Sequence, residues 1–577
     1  MELSAEQKKI IETNESIKIN AVAGSGKTTT LIAYAASRPS NARILYIAYN
    51  KSVRLEAKRK FEAAGLHHVV IETAHSLAYK NIVFQHRYEI KASGYKVSEI
   101  AQLLSLKNTG DKHSAYIIAN HILKFVQLFC NSQVFKVQEL DYLSTLEEES
   151  SIQFVQTHFP YILQQTRLFL ARMDRNEIPV THDFYLKKFQ LSRPVLNFDY
   201  ILFDEAQDAS ACMLDILKYQ FAKIVMVGDT HQQIYSWRNA VNSLQKVNYP
   251  TFHLSNSFRF NEALAQLAFK VLNRKKHFDE THFCKISGKG KHKVIKTRAV
   301  IARTNLGLLT MAIEVMKKNP LLKKIHFEGQ LNSYTYAEDG ASLYDVLNLQ
   351  NGKKEHIRDI VIKEMNSIDD LEKYIEDTED VQLGIMVEIV KEYGNDIFTL
   401  LKDLKELHTD DKTGAEWIFS TVHKSKGMEY DHVILTNDFL TEKAIKDMVE
   451  ESDRPINLEV KLGEEINLLY VAITRAKVLL EVPENLTPVE FEANASIKII
   501  QTKSKNSSTS SAPAQKIKKV FSQPKHNSSQ QKWTTELDAE LRKRYFKGDS
   551  IADLSHLFGR TKASIWLRIK KLGIDLE

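Results

Sequence analysis

The sequence predicts an α/β protein with two lobes, each built on a parallel sheet and interrupted by helical insertions, followed by a small all-α module. Three observations lead there. Short apolar runs recur between helical stretches, the pattern of parallel strands joined by crossover helices. A glycine-rich turn stands between the first run, IKINA, and a helix, and two long intervals carry helical periodicity instead of strand-like runs.

The elements follow in order. IKINA and RILYIAY (43–49) alternate with the helical stretch 51–63. From about 86 to 190 the pattern changes to long amphipathic helices, such as SAYIIANHILKFVQLF and SIQFVQTHFPYILQQTRLFLARM. Strand-like runs return at DYILF (199–203), KIVMV (223–227), RAVIA (298–302), WIFSTV (417–422) and HVILT (432–436). The expected organisation is a first lobe over 1–85 and 195–260 with insertion 86–194. A second lobe covers 261–310 and 415–485, with a compact insertion at 311–414. A Ser/Lys-rich linker, 486–531, precedes the terminal module, 532–577; within it, residues 501–531 hold 8 Ser, 6 Lys and no acid, a composition that cannot bury enough apolar surface to order itself.

Composition bounds the function classes. The chain has 577 residues, 43% of them hydrophobic, so a disordered or fibrous protein is excluded, and roughly 100 to 200 residues per domain implies several cores. Its net charge of +7 is uneven: residues 501–577 carry 16 Lys and Arg against 7 acids, and the rest carries 63 against 65. The basic excess therefore sits in the tail, where it could meet a polyanion. Cys130, Cys212 and Cys284 lie far apart, which argues against a disulfide framework or structural zinc site. No apolar run approaches the ~18 residues of a membrane span, and the expectation is a soluble, cytoplasmic protein, nucleoid-associated if bacterial.

The turn reads Ala21-Val-Ala-Gly24-Ser-Gly26-Lys27-Thr28. After a strand and before a helix, such a segment cradles phosphates: backbone amides from Ala23 through Thr29 curl around the oxygens, Lys27 reaches the outer phosphates, and the Thr28 hydroxyl can hold Mg²⁺. The second half of such a site is an acidic pair after an apolar strand, and DYILF runs into Asp204-Glu205-Ala-Gln-Asp208. Asp204 is assigned to the metal and Glu205 to the base that orients and deprotonates a water. The implied ligands are ATP and Mg²⁺.

With both halves present, the chain resembles the UvrD/Rep-like branch of superfamily 1 DNA helicases, and within it the F-box DNA helicases. The carrying segments are LSAEQ, the P-loop, YNKSV (49–53), TAHSLAY (73–79), THDFYLKKFQLS (181–192), DEAQD, VGDTHQQIYSWRNA (227–240), LSNSFRF (254–260), VIARTN (300–305), TVHKSKGMEYDHVIL (421–435) and EEINLLYVAITRAK (464–477). The resemblance implies two RecA-like P-loop NTPase lobes and an ATP-dependent 3′ to 5′ motor acting on single-stranded and tailed duplex DNA in repair or recombination. It implies Gln7 as the adenine-reading residue, Phe258 stacking on adenine, Glu429 on the ribose with Gly427 beside it, Gln232 sensing the γ-phosphate, and Arg259 and Arg475 as arginine fingers. For the strand it implies Asn50, His75, Tyr235, Trp237, Arg238, Thr421 and His423, with Trp237 the best stacking platform. Two departures stand out: Asn467 replaces a basic residue of many bacterial relatives, and no F-box-like extension precedes Gln7.

Other features stay open. The stretch 274–298 carries 9 Lys and Arg against 2 acids and is either a DNA path or a solvated loop. The terminal module, with a Gly turn before a basic last helix bearing Lys562 and Arg568, resembles a Myb-like helix-turn-helix, which would contact duplex DNA or dock a protein. A DNA-bound ATPase switch or defence factor without processive unwinding remains the alternative to a helicase, and protein partners are not specified.

Overall fold

The computed structural model describes residues 3–110, 112–234, 243–279, 285–329, 331–336, 340–451, 455–488, 491–501 and 535–546, together with positions 554, 557, 558, 565, 568, 569 and 572. They fall into two units, one of residues 1–442 and 454–504 and one of 443–453 and 505–577.

The first lobe of the large unit is a six-stranded sheet of β1 (Ile17–Ala21), β2 (Ile44–Ala48), β3 (Val70–Thr73), β4 (Tyr200–Phe203), β5 (Lys223–Gly228) and β6 (Thr251–Leu254). Their order is β3-β2-β4-β5-β1-β6, and every pairing is parallel. Helices cover both faces, so β2 and β4 are buried at every position, which explains their unbroken apolar sequences. Successive side chains alternate between two cores: Ile44, Tyr46, Leu202 and Val225 enter one, and Leu45, Ile47, Ile201 and Met226 the other.

A two-residue parallel pair, β7 (Asn256–Ser257) with β8 (Ser287–Gly288), leads to the second lobe. There β9 (Arg298–Ala302), β10 (Ile325–Phe327), β11 (Trp417–Thr421), β12 (Tyr430–Leu435), β13 (Ala476–Pro483) and β14 (Ile497–Ile500) pair in parallel in the order β10-β11-β9-β12-β13-β14. Two edge strands fall in spans read from the sequence as a mostly helical insertion and a linker: β10 within 311–414 and β14 within 486–531. Three or four residues are too few to show a period, and each strand is held mainly by its one neighbour.

The two insertions are largely helical, and they share one apolar core. Ile118, Phe125 and Phe169 of the first join Leu371, Tyr374, Val387 and Leu401 of the second. The helix Ile368–Thr378 is gripped at both ends by the first insertion. Near its N-terminus Asp370 pairs with Lys112 and, at 3.2 Å, with His113; at its C-terminus Lys124 Nζ donates to the Thr378 carbonyl at 2.6 Å. Glu379 reciprocates, its carboxylate accepting the Glu147 and Glu148 amides at 2.6 and 2.8 Å, just ahead of the helix Glu149–Asp174.

In the small unit the helix Thr535–Phe546 contributes Leu541 to a core with Leu554, Phe558, Ile565 and Ile569. Arg568 makes a two-point ion pair with Asp538 at 2.7 and 2.5 Å. Among the described residues no helix is long and apolar enough to cross a membrane.

Candidate active site

The turn after β1 has the conformation its glycines require. Gly24 and Gly26 have φ of 73° and 82°, in the left-handed region. Gly24 also lies against the segment that leads to the second lobe: a Cβ there would sit 2.5 Å from Arg259 Cβ, and the Phe258 amide donates to the Gly24 carbonyl at 2.9 Å. Phe258 itself is 45% exposed at this rim. The buried Ser25 hydroxyl has no hydrogen-bond partner among the described residues. Thr29 is exposed on the first turn of the helix Lys27–Ala36.

The acidic pair arrives from β4. Thr28 Oγ1 lies 3.5 Å from Asp204 Oδ2, Lys27 Nζ 3.4 Å from Glu205, and the Tyr46 hydroxyl donates to Asp204. Glu205 takes a left-handed backbone, φ 52°, and its amide turns back to Asp204 Oδ1 at 2.9 Å. These groups are buried together, so their charges interact strongly. Burial and the Glu205 charge push the Asp204 carboxyl up, despite Lys27. Burial opposes ionisation of Glu205 too, but Lys27 and Lys426 outweigh it and hold that carboxyl well below the usual range. Burial likewise pulls the Lys27 ammonium down, and Glu205, Asp229 and Asp204 reverse the effect. The resulting pocket has one carboxylate kept ionised beside one that is readily protonated.

Around this centre the lobes interlock. Lys426 Nζ bonds Asp208 at 2.7 Å and the Gln232 carbonyl at 2.7 Å, while Gln232 Nε2 donates to Asp229 at 2.8 Å. The Tyr470 hydroxyl donates to Asp229 at 3.0 Å and faces the Ala23 amide at 3.3 Å. Arg259 bonds Glu429 at 2.9 Å and the Thr474 carbonyl at 3.2 Å. Gly427, with φ 83°, lies between Lys426 and Glu429 in the same loop. Arg475 is buried, its guanidinium donating to the carbonyls of Val471 and Met428 at 3.0 Å. Burial and the neighbouring Arg259 pull it down to about 9. Gln7, also buried, donates to Thr30 Oγ1 at 2.9 Å.

Residues 3–253 match the family model described as UvrD/REP helicase N-terminal domain, and residues 313–485 match the UvrD-like helicase C-terminal domain. The chain belongs to the UvrD-like helicases. It is similar to F-box DNA helicase 1 of Gallus gallus, 27% identical over 84% of this chain and 49% of the relative. Similarity to F-box DNA helicase protein 1 of Schizosaccharomyces pombe is 30% over 84% of this chain and 58% of the relative. ATP-dependent DNA helicase PcrA of Bacillus subtilis is 25% identical over 46% of this chain and 39% of its own length. The chain thus spans about half the length of the curated F-box relatives it matches.

Within this UvrD-like frame the expected nucleotide residues converge, whereas the expected strand residues divide. His75 is partly exposed, 3.6 Å from Asp183 and edge-on to the rings of His182 and Tyr185. Asn50 caps the helix Lys51–Ala63 by accepting the Val53 amide at 2.9 Å. Thr421 is buried at the end of β11, and His423 is half-buried in the loop beyond it. Tyr235, Trp237, Arg238 and Lys562 lie outside the described residues. Arg568 is committed to Asp538. Sequence reasoning assigned no role to Tyr46, Asp229, Lys426 or Tyr470. An acid directly after β5 was a usable signal for Asp229, because it repeats the strand-then-acid pattern of β4 and Asp204; the others are defined only by partners far along the chain.

Proposed function

We propose that this chain is an ATP- and Mg²⁺-dependent DNA helicase or translocase that moves 3′ to 5′ along single-stranded DNA and unwinds tailed duplex in repair or recombination. One observation carries the reading: the P-loop and the acidic segment after β4 meet Tyr470 and Lys426 of the second lobe, with Arg259 beside Gly24, so groups from both lobes can act on one nucleotide. The residues fit that ligand. A buried Ser25 hydroxyl with no hydrogen-bond partner among the described residues and left-handed glycines on either side suit a phosphate, and one carboxylate with one hydroxyl suits an octahedral ion that keeps water and phosphate ligands. Thr28 and Asp204 would hold Mg²⁺, which supplies charge neutralisation on the phosphates.

This chain's own groups do the remainder. Glu205, kept ionised by Lys27 and Lys426, orients the attacking water and accepts its proton. Lys27 and Arg259 stabilise charge developing on the transferred phosphoryl group. Arg259 turning from Glu429 toward the outer phosphates frees that carboxylate for the ribose, and Phe258 and Gln7 flank the base. Arg475 stiffens the loop after Met428 and lends positive potential to the pocket. Protein partners are not specified by any of these features, while duplex contact through the terminal module, with Lys562, is supported by its charge.

The test compares wild type with Lys27→Ala for ATP hydrolysis, with and without single-stranded DNA, and for displacement of a strand from a 3′-tailed duplex. Wild type is expected to show DNA-stimulated hydrolysis and displacement, and Lys27→Ala to lose at least a hundredfold in turnover, as expected when a preorganised charge is removed from a transition state. Stimulated hydrolysis without displacement would favour an ATPase switch. Displacement by Lys27→Ala would refute the site.

A further inference from the structure

We propose that Asn467, locked by Lys275, is a positioning residue that holds the loop Asp229–Gln233 against the second lobe and so couples ATP hydrolysis to the DNA strand; this rests on the helicase reading above. The loop leaves β5 at the edge of the nucleotide pocket, and the chain continues from it into the segment 235–238, for which the sequence predicts strand contacts. First-lobe groups hold its beginning: the Asp229 amide donates to Gln207 Oε1 at 3.1 Å, and the Thr230 hydroxyl to Asn20 at 3.1 Å. Second-lobe groups hold the rest, three of them by direct hydrogen bonds. Tyr470 takes Asp229, Lys426 takes the Gln232 carbonyl, and Asn467 Nδ2 donates to the Gln233 carbonyl at 2.9 Å.

Tyr470 and Lys426 also touch the P-loop and Asp208, so they belong to the pocket itself. Asn467 touches neither. It is only 6% exposed, and its Oδ1 accepts from Lys275 Nζ at 2.7 Å, with His231 Nδ1 3.4 Å from the same ammonium. That arrangement fixes the carboxamide's orientation, because a flipped amide would set its NH₂ against an ammonium and its oxygen against a carbonyl. Few side chains of this size accept from a cation on one side and donate to a carbonyl on the other. The chain's departure at 467 is thereby matched by a cation delivered from 275.

The experiment uses the full chain with Asn467→Asp, nearly isosteric and able to keep Lys275 but unable to donate to Gln233, and with Lys275→Met. ATP hydrolysis is measured with and without saturating single-stranded DNA, alongside affinity for a fluorescent ATP analogue. In both variants hydrolysis without DNA and analogue affinity should stay within about twofold of wild type, while DNA-stimulated kcat falls roughly five- to tenfold, the scale of one hydrogen bond. The double variant should fall by less than the two single effects combined, since the two groups share the contact to Gln233 while Lys275 also lies 3.4 Å from His231. Retained stimulation in Asn467→Asp overturns the proposal, and so does a parallel loss of analogue affinity and unstimulated hydrolysis, which would mark a purely structural role. Absence of stimulation in wild type instead overturns the helicase reading first.

Discussion

Single residues at the pocket are constrained from two directions at once. Gly24 illustrates it: a side chain there meets both an unfavourable φ of 73° and Arg259 Cβ at 2.5 Å. Gly24→Ala should therefore destabilise the chain by about 1–3 kcal/mol through left-handed strain and a clash with backbone-proximal atoms, and weaken ATP binding more than DNA binding. Thermal unfolding and analogue titration measure the two effects; an unchanged melting temperature would mean that the Arg259 segment yields freely. The Gly-Ser-Gly-Lys-Thr pattern made the turn legible in the sequence because its meaning is local. Tyr46 shows the opposite case. An aromatic in an apolar strand reads as core, and its hydroxyl on Asp204 arises only because β2 and β4 are neighbours, the two residues being 158 positions apart.

Among elements, the helix Ile368–Thr378 is the one whose position depends most on distant partners. His121, fully buried in the first insertion, shares a hydrogen bond with the Tyr142 hydroxyl at 2.8 Å and with the Asp377 carbonyl at 3.0 Å. Burial, with the Lys124 charge nearby, lowers its pKa from 6.5 to about 4. The folded chain then binds fewer protons than the unfolded chain between those values, so the stabilising effect is complete above pH 6.5 and is lost as pH falls toward 4. At full titration the loss is about 3 kcal/mol. Wild type should lose more stability than His121→Gln between pH 7 and pH 4.5 in thermal unfolding; parallel curves would show that His121 is not the proton-sensitive group. Helical periodicity announced both insertions, yet it carried no information about their shared core, since an apolar stripe does not name the stripe it faces.

Across the whole molecule, the distribution of charge separates the two proposed modes of holding DNA. The large unit has nearly balanced charge along its sequence, so its proposed grip depends on placed groups, whereas the basic excess lies beyond residue 500. Removing 532–577 should weaken duplex affinity and flatten its dependence on salt, because phosphate contacts release counterions; filter binding over a salt series tests this, and an unchanged slope would assign the module to protein docking. Arg568→Ala is expected to destabilise the module through its lost ion pair with Asp538 more than it alters the salt slope.

By itself the sequence determined the chemistry on offer and the order in which it is met: a phosphate-binding turn after a strand, an acidic pair after another, helical insertions, and motif segments shared with the UvrD-like helicases. Those features are local, written in spacing and periodicity within a few turns of chain. Only the tertiary structure decided which polar groups pair, joining Lys426 to Asp208, Tyr470 to Asp229, and Lys275 through Asn467 to Gln233. Such pairs lie roughly two hundred positions apart, and nothing in a local pattern specifies a partner at that distance; parallel sheets folded from distant strands, and two lobes in contact, bring them together.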